Sequence, residues 1–195
     1  PADYFGLAMP TRADLAAAMA RLSGQLLAAT VTIVEGAACT VTSTPSQMHD
    51  PNPVRIGWRD SDWTPPAATD EPWLRMAART TSLGTVDLLL RRLAEHGCVD
   101  GVEPGADVTP AVVGALVLDT GDALVGVENP EPVSILDQLE TCGVLRSIAR
   151  RAAVPLDAVR RAWWISPHYR THPVAELGDR TAGVDSAYPS FLEQL

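Results

Sequence analysis

The sequence predicts a mixed α/β fold, and three observations carry that prediction. Apolar residues recur at helical spacing in several windows, and β-branched runs lie between them. An Asp-Thr-Gly-Asp turn also sits between two apolar runs. Helices and strands alternate through both hairpin and crossover connections, with no internal repeat.

The elements follow in order. Thr11 reads as an N-cap with Asp14 as its capping-box partner, and Leu15, Met19, Leu22 and Leu26 make 12–27 an amphipathic helix. Thr30–Val34 reads as a strand, and Val41 opens a second one. Residues 43–53 hold Pro45, Pro51 and Pro53 and read as a loop. Val54–Trp58 is a short strand, and Thr64–Pro72, with three prolines, reads as an extended connector between two halves. Ser82 caps a helix running to His96, with Leu83, Val86, Leu89, Leu90 and Leu93 on one face and Gly97 at its C′ position. Ala111–Leu118 and Ala123–Val127 flank Asp119-Thr120-Gly121-Asp122 as a hairpin. Ser134 or Asp137 caps a helix to about Ala153, stopped by Pro155. Arg161–Ile165 and Thr171–Leu177 read as strands, with a turn at Gly178-Asp179 and a short helix near Phe191.

The chain has 195 residues, and its 15 basic side chains are all arginine, so it contains no lysine. No lysine amine is present to form a Schiff base or act as nucleophile, and guanidinium binds anions without serving as a proton acceptor. A net charge of −9 disfavours general binding to nucleic acid or to anionic membranes. No apolar run reaches membrane length. Cys39, Cys98 and Cys142 are odd in number and scattered, which suits reduced thiols in a cytoplasm. No CxxC or HExxH spacing points to a metal.

From Pro72 onward the order of short motifs is distinctive: Trp73-Leu74, Arg79-Thr80-Thr81, a helix, His96-Gly97, the hairpin, Ser134-Ile135-Leu136, a helix, then His172-Pro173-Val174. This order resembles the fold-type IV pyridoxal-phosphate enzymes, the class IV aminotransferases and aminodeoxychorismate lyases. The resemblance covers about residues 5–195 and implies a two-part fold with mixed sheets and packed helices. Residues 1–64 would be the remnant of a smaller N-terminal α/β domain, 65–72 the linker and 73–195 the larger domain. The family's opening strands and early phosphate-binding arginine would precede Pro1 and are missing from this chain.

Carried across by position, the cofactor residues are replaced. Counting back from Gly97 puts the family's Schiff-base lysine at Arg79, and its pyridine-supporting glutamate falls at Pro110. The phosphate turn matches Ile135–Glu140, with Gln138 in place of glycine and Glu140 in place of threonine. A final phosphate hydroxyl falls near Pro167. The resemblance therefore implies a relative that has lost covalent pyridoxal phosphate and uses no cofactor.

The loop Ser166–His172 would lie near the old cofactor cleft. There His168 suits a general acid or base, Tyr169 a proton donor and Arg170 a carboxylate clamp. The competing reading is a polar loop whose His and Tyr cap backbone groups. Arg79 would bind an anionic substrate or pair with Glu140, or simply stand at the surface ahead of a helix. Glu140 would be a base if buried, or an ordinary helix-capping carboxylate. Of the adjacent Trp163 and Trp164, alternation puts one ring in the core and the other on the opposite face, lining a substrate pocket or a dimer contact.

The function expected is a cofactor-independent biosynthetic enzyme of specialised metabolism, cytoplasmic and homodimeric. It would isomerise, eliminate or cyclise a small anionic or cyclic metabolite by acid–base chemistry. The alternatives are a noncatalytic binding module or partner subunit, and an aminotransferase relative that holds pyridoxal phosphate noncovalently.

Overall fold

A computed structural model of the chain describes residues 11–20, 27–33, 39–45, 48–59, 84–129 and 134–193. In chain order its elements are α1 (Arg12–Met19), β1 (Leu27–Ile33), β2 (Cys39–Pro45), β3 (Val54–Trp58), α2 (Gly84–Glu95), β4 (Asp100–Val102), β5 (Asp107–Val108), β6 (Ala115–Asp119), β7 (Leu124–Val127), α3 (Ile135–Thr141), β8 (Ala149–Arg150), β9 (Val154–Pro155), β10 (Arg161–Ile165), β11 (Thr171–Leu177) and β12 (Arg180–Thr181). The mixed α/β class is as expected.

The N-terminal cap forms as a reciprocal pair. The Asp14 amide donates to Thr11 Oγ1 at 3.1 Å, and the Thr11 amide donates to Asp14 Oδ2 at 3.1 Å. The Thr11 hydroxyl, donating to Asp14 Oδ2 at 2.6 Å, and then the Thr11 amide hold the Asp14 carboxyl below its ordinary range. β1 and β2 pair antiparallel as a separate two-stranded sheet, so residues 43–45, read as loop, extend the second strand instead.

The main sheet has eight strands in the order β4-β3-β11-β10-β6-β7-β8, with β12 hydrogen-bonded to β11. β6, β7, β10 and β11 run antiparallel to their neighbours within that group, whereas β3 joins β11 and β4 in parallel. The connector expected at 65–72 lies outside the described residues, and β3, which precedes it, shares a sheet with the strands that follow it. A second small sheet pairs β5 with β9.

Both faces of the central strands are covered. One face carries Ile56, Val102, Leu116, Leu118, Ala162, Trp164 and Val174. The other carries Ala115, Val117, Trp163 and Ile165 against Ile135, Leu136 and Leu139 of α3 and against Phe191 and Leu192. α2 lies across Gly57 and Gly101, where a Cβ would sit 3.3 Å and 2.8 Å from Leu93 methyls. The β6–β7 turn holds Gly121 at φ +88°, and the C′ residue of α2, Gly97, is at φ +74°, both as their sequence contexts demand.

The structure corrects three helices. α1, expected over 12–27, ends at Met19, and Leu27 already lies in β1. The helix expected to run to Ala153 ends at Thr141. Gly143 turns left-handed at φ +70°, and the Val144 and Leu145 amides both close back on the Leu139 carbonyl. Arg150, expected near the end of that helix, instead pairs with Glu140 at 2.8 Å and Asp137 at 3.5 Å from β8. Near Phe191 there is no helix: Leu192 forms a bridge with Leu145, and the Arg146 amide donates to the Phe191 carbonyl at 2.9 Å.

Candidate functional site

The hairpin joining β10 to β11 builds the candidate site. The Ser166 amide donates to the Arg170 carbonyl, and the Tyr169 amide to the Ser166 carbonyl, each at 2.8 Å. This tight closure forces Tyr169 to φ +63°, a conformation a bulky side chain rarely takes. The phenol is held in return, donating to Gln138 Oε1 on α3. Backbone bonds lay residues 48–50 along β11, the Asp50 amide donating to the Thr171 carbonyl at 2.9 Å and the Thr171 amide to that of Met48 at 2.8 Å.

Those bonds bring together groups more than a hundred residues apart. Asp50 Oδ2 lies 3.6 Å from the Arg170 guanidinium and 4.0 Å from His172 Nδ1. The Asn52 amide and side chain both donate to Asp50 Oδ1, and the backbone bond foremost keeps its carboxyl below the ordinary range. His172 Nδ1 faces the Asn52 carbonyl at 3.4 Å. A carbonyl only accepts, so Nδ1 carries the proton and the lone pair of the neutral ring lies on Nε2. Only 14% of the His172 side chain is exposed, and burial holds its pKa below the ordinary imidazole value, which favours the neutral base.

The sequence-predicted residues are distributed unevenly around this cluster. Arg170 belongs to it, and His168 stands exposed at the hairpin tip. Tyr169 turns toward α3, and Glu140 is bound to Arg150. Trp164 is 7% exposed, packed in the sheet core opposite His172 and donating its N–H to Asp100 at 2.9 Å. Both tryptophans are therefore core residues, because this sheet is covered on both sides. Arg79 lies outside the described residues. The sequence reading places His172 only as a second imidazole at the end of the Ser166–His172 loop and gives no role to Asp50 or His49. The alternation of β11, which places His172 on the Trp164 face, was the available signal for the first, whereas 48–52 read as a proline-rich loop.

Searches against family models and against curated proteins found no match. Solved structures do match. An amino-acid aminotransferase assigned in Mesorhizobium loti superposes with a TM-score of 0.61 over 90% of this chain and 86% of its own, at 11% identity. An aminotransferase from Brucella abortus, bound to the cofactor pyridoxal phosphate, gives 0.51 over 75% of this chain and 54% of its own, at 11% identity. A hypothetical aminotransferase from Mycobacterium tuberculosis gives 0.50 over 77% and 58%, at 19% identity. The chain has a class IV aminotransferase-like fold. It spans little more than half the length of the Brucella and Mycobacterium structures. Among the described residues, no helix is long and apolar enough to cross a membrane.

The described residues of this aminotransferase-like chain do not fit covalently held pyridoxal phosphate. Its 195 residues include no lysine to condense with the aldehyde. The run compared with the phosphate turn, Ile135–Glu140, is the body of α3, so Gln138 and Glu140 are helical and not part of a turn. The first amides of that helix are already satisfied. Glu128 accepts from the Ile135 amide at 2.8 Å, from the Leu136 amide at 3.2 Å and from the Ser134 hydroxyl, while Ser134 Oγ caps the Asp137 amide at 2.9 Å. A carboxylate of the chain's own thus occupies these donors.

Proposed function

We propose that this aminotransferase-like chain is a cofactor-independent acid–base enzyme acting on a small anionic metabolite. The observation that carries the reading is His172. Its Nδ1 is committed to the Asn52 carbonyl, its Nε2 bears the free lone pair, and the Arg170 guanidinium and Asp50 carboxylate stand beside it. In this reading His172 takes a proton from a carbon or heteroatom, Asp50 steadies the resulting imidazolium, and Arg170 holds the substrate's carboxylate. His168, at the exposed tip of the same hairpin, is the group available for a second proton transfer. Tyr169 and Glu140 support the site by tying the hairpin and β8 to α3, and Trp164 packs beneath it. Arg79, a cytoplasmic location, a homodimer and a biosynthetic role belong to the same proposal.

The test uses wild-type protein and His172→Gln, each free of pyridoxal phosphate, in heavy water with a panel of small keto, hydroxy and cyclic carboxylic acids. Proton–deuterium exchange is followed by NMR. Exchange that requires His172 supports the reading, whereas equal exchange in both proteins overturns it. A noncatalytic binding module is the second reading, favoured by the internal bonds of Tyr169 and Glu140. It predicts no exchange with any acid and a stable complex with a partner or second copy in native mass measurement. Noncovalent retention of the vitamin predicts co-purified pyridoxal phosphate that borohydride does not fix to the chain.

A further inference from the structure

Asp100 is completely buried. Its two oxygens accept only N–H bonds: from the amides of Gly101 at 2.8 Å, Val112 at 3.0 Å, Val113 at 3.3 Å and Gly114 at 2.8 Å, and from Trp164 Nε1 at 2.9 Å. The four amides come from β4 and from the turn ahead of β6, so the carboxylate fixes the strand and the turn relative to each other. The fifth donor comes from β10. The indole lies so close to the turn that a Cβ added at Gly114 would stand 2.0 Å from Trp164 Nε1. A tryptophan held by its N–H and pressed against a glycine has one available orientation. In that orientation its ring lies 5.7 Å from the imidazole of His172, its cross-strand partner on β11.

We infer that Asp100 is a positioning residue for His172, acting through the indole of Trp164. The carboxylate fixes the indole, and the indole covers one side of the imidazole and keeps water from it. The other groups facing His172 are Asp50 and His49 from the segment along β11 and Arg170 from the hairpin. They set local charge, while the indole sets solvation. The catalytic meaning of this role rests on the acid–base reading of His172; the structural relation does not.

The experiment is an NMR titration of the His172 ring in the whole chain, which needs no substrate. In wild type, nuclear Overhauser contacts are expected between the His172 and Trp164 rings. Trp164→Phe keeps an aromatic ring but loses the tether, and Asp100→Asn loses the all-acceptor anchor. Each is expected to move the His172 midpoint upward, toward an ordinary imidazole, whereas Trp163→Phe on the opposite face leaves it in place. An unmoved midpoint in folded Trp164→Phe, or the absence of the ring contacts in wild type, overturns the inference. If the midpoint moves while proton exchange ignores His172→Gln, the positioning role stands and the enzymatic reading falls. Exchange that needs His172 while the midpoint stays fixed gives the converse.

Discussion

Trp163 and Trp164 stand back to back on β10, and they are solved differently. Trp164 Nε1 reaches the Asp100 carboxylate, which also gathers four backbone amides. Trp163 packs edge-on against Phe191, with ring centroids 5.2 Å apart, and the Arg161 guanidinium lies 5.6 Å from its ring. Its N–H is buried with no hydrogen-bond partner, as is the hydroxyl of Thr171 on the same face. One indole of β10 is therefore held by a directional polar bond and the other by packing alone. Directional bonds fix orientation, which is what the base proposed at His172 requires. Packing tolerates substitution as long as volume is kept.

The contrast breaks most decisively at Asp100. Asp100→Ala leaves the amides of Gly101, Val113 and Gly114 and an indole N–H without their acceptor, and costs about 3–5 kcal/mol in urea unfolding. A loss below about 1 kcal/mol would show that the tethered indole is held no more specifically than the packed one. The two indoles provide the next comparison. Trp164→Phe costs about 1–3 kcal/mol, whereas Trp163→Phe, which removes a donor that has no partner, costs under about 1 kcal/mol beyond the lost ring area. Equal losses would erase the difference. Thr171→Val deletes an unpaired buried hydroxyl at nearly constant volume, and shifts stability upward by up to about 1 kcal/mol, read as a higher unfolding midpoint.

The smallest effect is electrostatic. Burial holds the folded pKa of His172 below its ordinary value of 6.5, so below that pH the unfolded chain binds more protons at this site than the folded one. The His172 contribution to stability is thus present at higher pH and is lost as pH falls through the window under 6.5. Wild-type stability falls more steeply there than that of His172→Gln. Parallel curves would place His172 in ordinary solvent.

What the sequence disclosed follows the range of each signal. Thr11 and Asp14 lie three residues apart, Gly121 sits within its own turn and Gly97 ends its own helix, and all three are where local chemistry puts them. α3 was read too long because Leu145 and Ile148 continue the apolar spacing past Gly143. In the fold those side chains pack against the C-terminal segment and α3 from an extended strand of chain. Asp100 resisted sequence reading for a different reason. No local motif marks Val99-Asp100-Gly101-Val102, and the buried acceptor role of Asp100 is defined by residues 12 to 64 positions away. His172 was visible as an imidazole, but its character comes from Asn52, which is 120 positions distant.

The place of β3 in the main sheet carries a consequence for synthesis. Its parallel partner β11 ends at Leu177, so one full side of β3 has no strand to pair with until more than a hundred further residues have left the ribosome. The antiparallel group β6, β7 and β10 is complete earlier: β6 and β7 close through a tight turn and β10 joins β6 across residues 120–160, whereas docking β3 onto β11 means closing residues 59–170. A nascent chain stopped just before Thr171 would present two open strand edges, β3 and β10, and would be the species most prone to aggregate or to recruit a chaperone.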